Sequence, residues 1–330
     1  MRKNSLFTLA LLALMVLSAC RAQTDGRADE LPTLSPVPLA TGERLRVVAT
    51  TSIVADVAQN VGGEWIELTT LLPLGADPHT YQPTPQDAAA IANAHVVLAN
   101  GAGLEAFLAP LLESSGATGR VVPVSYGIDL LQMEADEHEH EHEHEHEHEH
   151  EHEHGQYDPH VWFDPLNVIV WTENIAWALS TLDPAHAADY RANAVSYQAE
   201  LRALDAWIAD QVALIPAERR VLVTDHAAFG YYIRRYGLRQ GGTVVAGFST
   251  MAAPSAQEIA ALEETIAALG VPAIFVSTTV NPTLGERIAR DTGTRLVLLY
   301  TGSLSAPGGP ADSFLALMRY DTTAIVEALR

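Results

Sequence analysis

The sequence predicts an α/β protein with two lobes, in which four strands precede and four strands follow a long helical rod. Three observations carry this prediction. Strand-like apolar runs alternate with helical patterns in both halves of the chain, which is typical of parallel sheets with helices on their faces. The middle of the chain is helical for some fifty residues. Apolar residues make up 48% of the 330 residues, enough for two cores.

The first half predicts an N-terminal lobe over residues 46–165. Its predicted strands are Arg46–Ser52, Ile66–Leu72, His95–Ala99 and Arg120–Val124, and its predicted helices are Ile53–Val61, Pro85 to about Asn93, and Leu104–Ser114. The Thr84-Pro85 pair favours a helix start there, because threonine caps a helix and proline suits the first helical position.

The central stretch, residues 166–215, predicts two linking helices. Asp164-Pro165 begins the first, and Asp183-Pro184 ends it and begins a second that runs to about Leu214. The second has apolar residues at alternating spacings of four and three, which indicates one continuous apolar seam. These residues are Tyr190, Ala194, Tyr197, Leu201, Leu204 and Ile208. About thirty helical residues form a rod of ~45 Å.

The remaining residues, 216–330, predict a C-terminal lobe of the same kind. Its predicted strands are Arg220–Thr224, Thr243–Gly247, Ala273–Ser277 and Arg295–Leu299. Helices are predicted after Asp225-His226 through Tyr236, from Ser255 to Leu269, over Pro282–Thr292 and over Ser313–Leu329. Ser255 and Glu258 have the spacing of a capping box.

Residues 1–20 have the pattern of an export signal. Arg2 and Lys3 precede an apolar run from Leu6 to Leu17, too short for a spanning helix of ~20 residues. Leu17-Ser18-Ala19-Cys20 resembles the lipobox of bacterial lipoproteins, so we expect Cys20 to be lipidated and the protein to be anchored outside the cytoplasm, at the cell surface or in the periplasm. An ordinary secretory signal with a chance cysteine is the alternative.

Residues 21–45 are predicted to form a tether between the anchor and the folded part of the chain. Cys20 is the only cysteine, which excludes a disulfide and a thiolate metal ligand.

The net charge of −22 argues against nucleic acid as a partner. Much of this charge lies in a Glu/His-rich loop, residues 134–156, which contains nine Glu-His pairs and is predicted to be disordered. The loop is either a solvated insertion or a weak, many-site zinc trap, and we favour the trap. Its histidines are His138, His140, His142, His144, His146, His148, His150, His152 and His154.

Five histidines lie outside this loop: His79, His95, His160, His186 and His226. His79 and His160 each follow Asp-Pro. Proline restricts its own backbone and that of the residue before it, so the position of the following imidazole is well defined. His79 and His226 follow predicted strand ends, where open α/β sheets bind ligands. Three imidazoles with one further position are a familiar zinc arrangement. Three unrelated loop histidines are the alternative, and we interpret His95 and His186 as structural.

Three segments carry a family resemblance that extends over residues 46–330. They are Asp77-Pro78-His79-Thr80-Tyr81-Gln82-Pro83-Thr84-Pro85, Asp158-Pro159-His160-Val161-Trp162-Phe163-Asp164-Pro165 and Thr224-Asp225-His226-Ala227-Ala228-Phe229-Gly230-Tyr231. They resemble the three ligand loops of the zinc/manganese-type solute-binding lipoproteins that feed ABC importers. The resemblance implies His79, His160 and His226 as metal ligands, and two (β/α)4 lobes joined by a rigid helix. It also implies a receptor that is not an enzyme and that delivers its metal to an ABC permease.

One departure from the family concerns the fourth ligand, usually a carboxylate after the last strand of the second lobe. Gly302 lies at that place here. We therefore expect three histidines plus water, although Asp225, Tyr300 or a loop glutamate could contribute an oxygen. If the backbone at Gly302 tolerates a side chain, Gly302→Asp would tighten zinc binding. Because histidine ligands must be neutral, we also expect affinity to fall as the pH drops through ~6.5.

Zinc is the predicted metal, because a third histidine suits Zn²⁺ better than the harder Mn²⁺, and because in this family His-rich insertions at this place accompany zinc. The alternatives are a manganese or iron receptor, a three-histidine zinc hydrolase, and a surface adhesin or zinc buffer. The three segments that carry His79, His160 and His226 contain no HExxH-type helix, which argues against the hydrolase. We expect a monomer.

Overall fold

The computed structural model describes residues 31–132 and 157–330. The predicted signal peptide with Cys20, the first part of the tether, and the Glu/His-rich loop from residue 134 to 156 lie outside the described residues. Within the described ranges, no helix is both long and apolar enough to cross a membrane.

The N-terminal sheet is parallel and has the order β2-β1-β3-β4. Its strands are β1 (Leu45–Ala49), β2 (Ile66–Thr70), β3 (Val96–Ala99) and β4 (Val121–Pro123). The helices of this lobe are α1 (Ser52–Gly62), α2 (Pro85–Asn93) and α3 (Leu108–Ser115). Thr84 caps α2 as predicted, with its side chain accepting from the N–H of Asp87.

Helix α3 begins four residues later than the predicted Leu104. The segment before it is a turn, in which Gly101, Ala102 and Gly103 all have positive φ angles, of 79°, 53° and 81°. Glu105, inside the predicted helix, belongs to this turn, because its side chain accepts from the N–H groups of residues 100 and 101.

The linking helices are α4 (Pro165–Leu182) and α5 (Ala187–Val212). Helix α5 has 26 residues, hence a length of ~39 Å rather than the predicted ~45 Å. Every residue of the predicted apolar seam is buried. The seam packs against α4, and α5 also contacts α1 and the last helix of the chain, so that a single core cluster joins both lobes. A shared core explains why this connection is rigid.

The C-terminal sheet is also parallel, with the order β6-β5-β7-β8. Its strands are β5 (Val221–Thr224), β6 (Arg239–Thr243), β7 (Ala273–Ser277) and β8 (Arg295–Leu299). The helices are α6 (Gly230–Tyr236), α7 (Ala256–Leu269), α8 (Thr283–Thr292) and α9 (Phe314–Leu329). The two (β/α)4 lobes joined by a long helix are thus confirmed.

The predicted strand Thr243–Gly247 is wrong, because β6 lies at Arg239–Thr243. Apolar content suggested the later segment, but β6 is an edge strand, and edge strands need not be apolar. Pairing decides its position instead: a Cβ atom on Gly241 would lie 2.5 Å from Val221 Cγ1, so only glycine allows this approach to β5.

The described part of the predicted tether packs on the protein surface. Leu31, Leu34, Val37 and Leu39 are partly buried against the core cluster that joins the lobes. The backbone N–H of Val37 donates to the carbonyl of Leu182, at 2.8 Å, which holds this segment to the end of α4.

Candidate metal centre

Three loops deliver the predicted ligands to one point between the lobes. His79 lies in the loop after β2, His160 immediately before a 3₁₀ turn that leads to α4, and His226 two residues after β5. His79 Nε2 lies 3.1 Å from His160 Nε2, and His160 Nε2 lies 3.3 Å from His226 Nε2. The structure therefore brings together all three residues that the sequence singled out.

The spacing of these nitrogen atoms fits a tetrahedral metal ion. Zn–N bonds are ~2.0–2.1 Å long, so two nitrogen ligands at a tetrahedral angle lie about 3.3 Å apart. The measured separations of 3.1 and 3.3 Å are close to that value.

Two aspartates orient the rings of His160 and His226. Asp158 Oδ1 lies 2.8 Å from His160 Nδ1, and Asp225 Oδ1 lies 2.9 Å from His226 Nδ1. A carboxylate accepts from an Nδ1–H group, so each neutral ring turns the lone pair of Nε2 toward the other rings. This orienting role of the two aspartates was not predicted from the sequence, although each lies one or two residues before its histidine.

Burial keeps His79 and His160 in the neutral form that binds metal. His160 and His226 are 1% and 2% exposed. Burial, followed by the neighbouring His160 and His226, lowers the pKa of His79 to about 3. Burial also lowers the pKa of His160 well below its ordinary value and raises the pKa of Asp158 to about 8. Neutral imidazole is the form in which histidine ligates a metal.

No carboxylate joins the three histidines within the described ranges. Both oxygens of Asp225 are engaged, one by His226 and the other by the N–H of Ser277 at 2.8 Å. The Tyr300 ring packs edge-on against Tyr320, 5.3 Å between centroids. Of the oxygen donors considered from the sequence, Asp225 is therefore not part of the cluster.

Gly302 lies against the loop that carries His79. The Trp162 Nε1–H group donates to the Thr301 carbonyl, at 3.1 Å, and so fixes this segment beside the site. A Cβ atom on Gly302 would meet the Pro78 ring. The condition on which Gly302→Asp would tighten zinc binding, a backbone that tolerates a side chain, is therefore not met without a shift of Pro78, the residue next to His79.

The two histidines interpreted as structural lie in other contacts. His95 Nδ1 accepts from the backbone N–H of Arg46, at 3.1 Å. His186 stacks on Trp65, with 3.9 Å between ring centroids, and its Nδ1 lies 2.7 Å from Asp183 Oδ2.

Comparison with known proteins agrees with this architecture. The family described as zinc-uptake complex component A, periplasmic, matches residues 47–328. The manganese-binding lipoprotein MntA of Halalkalibacterium halodurans is 31% identical, and the aligned region covers 99% of each chain. The manganese ABC transporter substrate-binding lipoprotein PsaA of Streptococcus mitis is 30% identical over 100% of this chain and 99% of the relative.

Among solved structures, the periplasmic zinc-binding protein TroA from Treponema pallidum superposes with a TM-score of 0.76 and 28% identity, covering 87% of this chain and 99% of that one. These relatives are binding proteins, not enzymes, and are named as lipoproteins or as periplasmic, which confirms the predicted class and the extracytoplasmic location. The chain therefore belongs to the family of periplasmic zinc-uptake complex component A proteins.

Proposed function

We propose that this protein is an extracytoplasmic receptor that binds Zn²⁺ through His79, His160 and His226 and delivers it to an ABC import permease. The observation that carries the proposal is the convergence of three Nε2 atoms with no carboxylate among them in the described part of the chain. A lipid anchor on Cys20 and a monomeric state belong to the same proposal.

The ligand set supports zinc over manganese. Imidazole suits Zn²⁺, whereas the harder Mn²⁺ prefers carboxylate, carbonyl and water oxygens. Asp158 and Asp225 contact the Nδ1 side of two rings, so these carboxyl groups act on the imidazoles rather than on the metal. Such outer partners fix the orientation of the rings and raise the basicity of the imidazoles.

A manganese or iron receptor is the second candidate, because two relatives are named for manganese. A competition titration of purified protein lacking residues 137–154 separates the candidates. We expect Zn²⁺ to displace Mn²⁺ and Fe²⁺ from a single tight site. Equal or tighter binding of Mn²⁺ would reject the zinc assignment and leave the receptor assignment standing.

The Glu/His-rich loop is proposed as an accessory arm that captures zinc weakly and raises its concentration near the site. The residues that flank the segment support this role. Gln132 and Tyr157 pair in an isolated antiparallel bridge, and the Asp158 N–H donates to the Leu131 carbonyl, at 2.7 Å. The segment thus leaves and rejoins the fold at one place, three residues before His160.

A further inference from the structure

A second network of buried groups lies on the N-terminal lobe behind the loop that carries His160. Its centre is the carboxylate of Glu105, which is 9% exposed. Glu105 Oε1 accepts from the Thr50 hydroxyl at 2.7 Å and from the Asn100 backbone N–H at 2.6 Å, and Oε2 accepts from the Gly101 N–H at 3.0 Å. Thr50 and Asn100 directly follow the neighbouring strands β1 and β3, so one side chain joins the ends of two strands.

The same carboxylate holds an unusual turn. Gly101, Ala102 and Gly103 are all left-handed, and Ala102 is the only residue other than glycine with a positive φ among those described. A left-handed alanine costs free energy that the surrounding contacts must offset. Burying a carboxylate is costly too, unless donors satisfy it, and here three donors do. Glu105 thereby fixes the position of Asn100.

Asn100 carries the connection to the metal centre. Its side chain is fully buried, and Nδ2 donates to the Pro159 carbonyl at 3.1 Å and to the Gly101 carbonyl at 2.8 Å. Pro159 is the residue before His160, and its carbonyl belongs to the peptide group that begins the His160 backbone. The path from Glu105 to His160 thus consists of two hydrogen bonds, which meet at Asn100, and one peptide bond.

We propose that Glu105 and Asn100 are positioning residues that hold the His160 backbone in register for metal binding, without touching the metal. The inference rests on the proposed function. A ligand shell loses affinity when one member is displaced by a fraction of an ångström, and outer partners typically change metal affinity ~10- to 100-fold. In Glu105→Gln one carboxylate oxygen is replaced by an NH₂ group. This NH₂ group cannot accept a hydrogen bond from the backbone N–H that faces it, so the turn loses one of its hydrogen bonds.

The test measures zinc affinity and thermal stability of the full chain for Glu105→Gln, Asn100→Ala and the double variant. Asn100→Ala removes the side-chain hydrogen bonds to Pro159 and Gly101 but keeps the bond from the residue-100 backbone N–H to Glu105, so it tests the inference even if Glu105→Gln fails to fold. We expect each single variant to bind zinc about tenfold more weakly. We expect the double variant to be no weaker than the worse single variant, since both act through one path.

Asp183→Asn is the matched control. Asp183 is a buried carboxylate, 4% exposed, that accepts from the Tyr190 hydroxyl in the linking helices, away from the metal centre. We expect it to lower the melting temperature and leave zinc affinity unchanged. The absorption spectrum of the Co²⁺-loaded protein gives a second readout, which we expect to change in Asn100→Ala and not in the control.

Wild-type affinity in Asn100→Ala, or an equal loss in Asp183→Asn, would overturn the positioning role. Failure of the wild-type protein to bind zinc would instead reject the proposed function, so the two failures are distinguishable.

Discussion

Gly302 of the C-terminal lobe packs against Pro78 of the N-terminal lobe so closely that a Cβ atom at position 302 would lie 2.8 Å from Pro78 Cδ. The contact joins the segment after β8 to the residue before His79. The absence of a side chain at Gly302 therefore has a structural consequence beyond the loss of an acid, because it allows the loop bearing one ligand to approach the opposite lobe.

Gly302→Ala and Gly302→Asp should both weaken zinc binding. Overpacking of this kind costs about 1–3 kcal/mol, equivalent to roughly 5- to 150-fold if the whole cost falls on the metal-bound form. Calorimetry on the chain lacking residues 137–154 measures the effect. Gly119→Ala is the control, since a Cβ atom there would meet nothing within 4 Å. Tighter zinc binding by Gly302→Asp would restore the idea that an acid at this position completes the site.

Alanine at His79, His160 or His226 should remove the tight site without unfolding either lobe, because each histidine lies on a separate loop. The loss of affinity should exceed the roughly 10- to 100-fold effect typical of outer-shell partners. Calorimetry for affinity and circular dichroism for the fold check this expectation. His186→Ala is the control, because His186 contacts Trp65 and Asp183 instead. Unchanged affinity in any ligand variant would remove that residue from the site.

Zinc affinity should depend on pH less than histidine ligands ordinarily imply. Three independent imidazoles with a pKa of ~6.5 would lose roughly a thousandfold between pH 7 and 5.5, because protons compete with the metal for each ring. Burial lowers the pKa of His79 to about 3 and that of His160 well below its ordinary value. A group whose pKa is lowered remains unprotonated over this interval and contributes no competition.

The earlier expectation of a steep fall through ~6.5 is therefore revised to a loss much smaller than a thousandfold by pH 5.5. Competition against a chelator whose own protonation is known provides the measurement at each pH. A thousandfold loss of zinc affinity over this interval would mean that the imidazoles are far more exposed to water than they are in the structure.

Replacing residues 137–154 by a short Gly-Ser linker should remove several weak zinc equivalents and leave one tight site. The fold should tolerate the replacement, because Gln132 and Tyr157 are paired and the linker spans only a short gap. Equilibrium dialysis counts the bound zinc. A replacement in which every His of the segment becomes Gln and its length is kept is the control for linker length. Loss of the tight site in either variant would show that the segment supplies a ligand.

Local sequence determined most of the fold and all three candidate ligands. Alternation of apolar runs and helical patterns determined seven of the eight strands to within a few residues, since buried parallel strands must be apolar throughout. The helix caps at Thr84 and Ser255 could be predicted from the sequence because a capping box depends on two residues three positions apart. Asp-Pro-His indicated two of the candidate ligands because proline restricts the backbone around itself.

Tertiary structure decided what depends on residues far apart in the chain. The position of β6 follows from the fit of Gly241 beside Val221, because its sequence, RQGGT, carries no apolar signal. The consequence of Gly302 follows from Pro78, more than two hundred residues away, and the role of Asp225 from its contact with Ser277 as well as His226. The lowered pKa of His79 required burial among two other imidazoles, a property of the closed site that no single loop possesses.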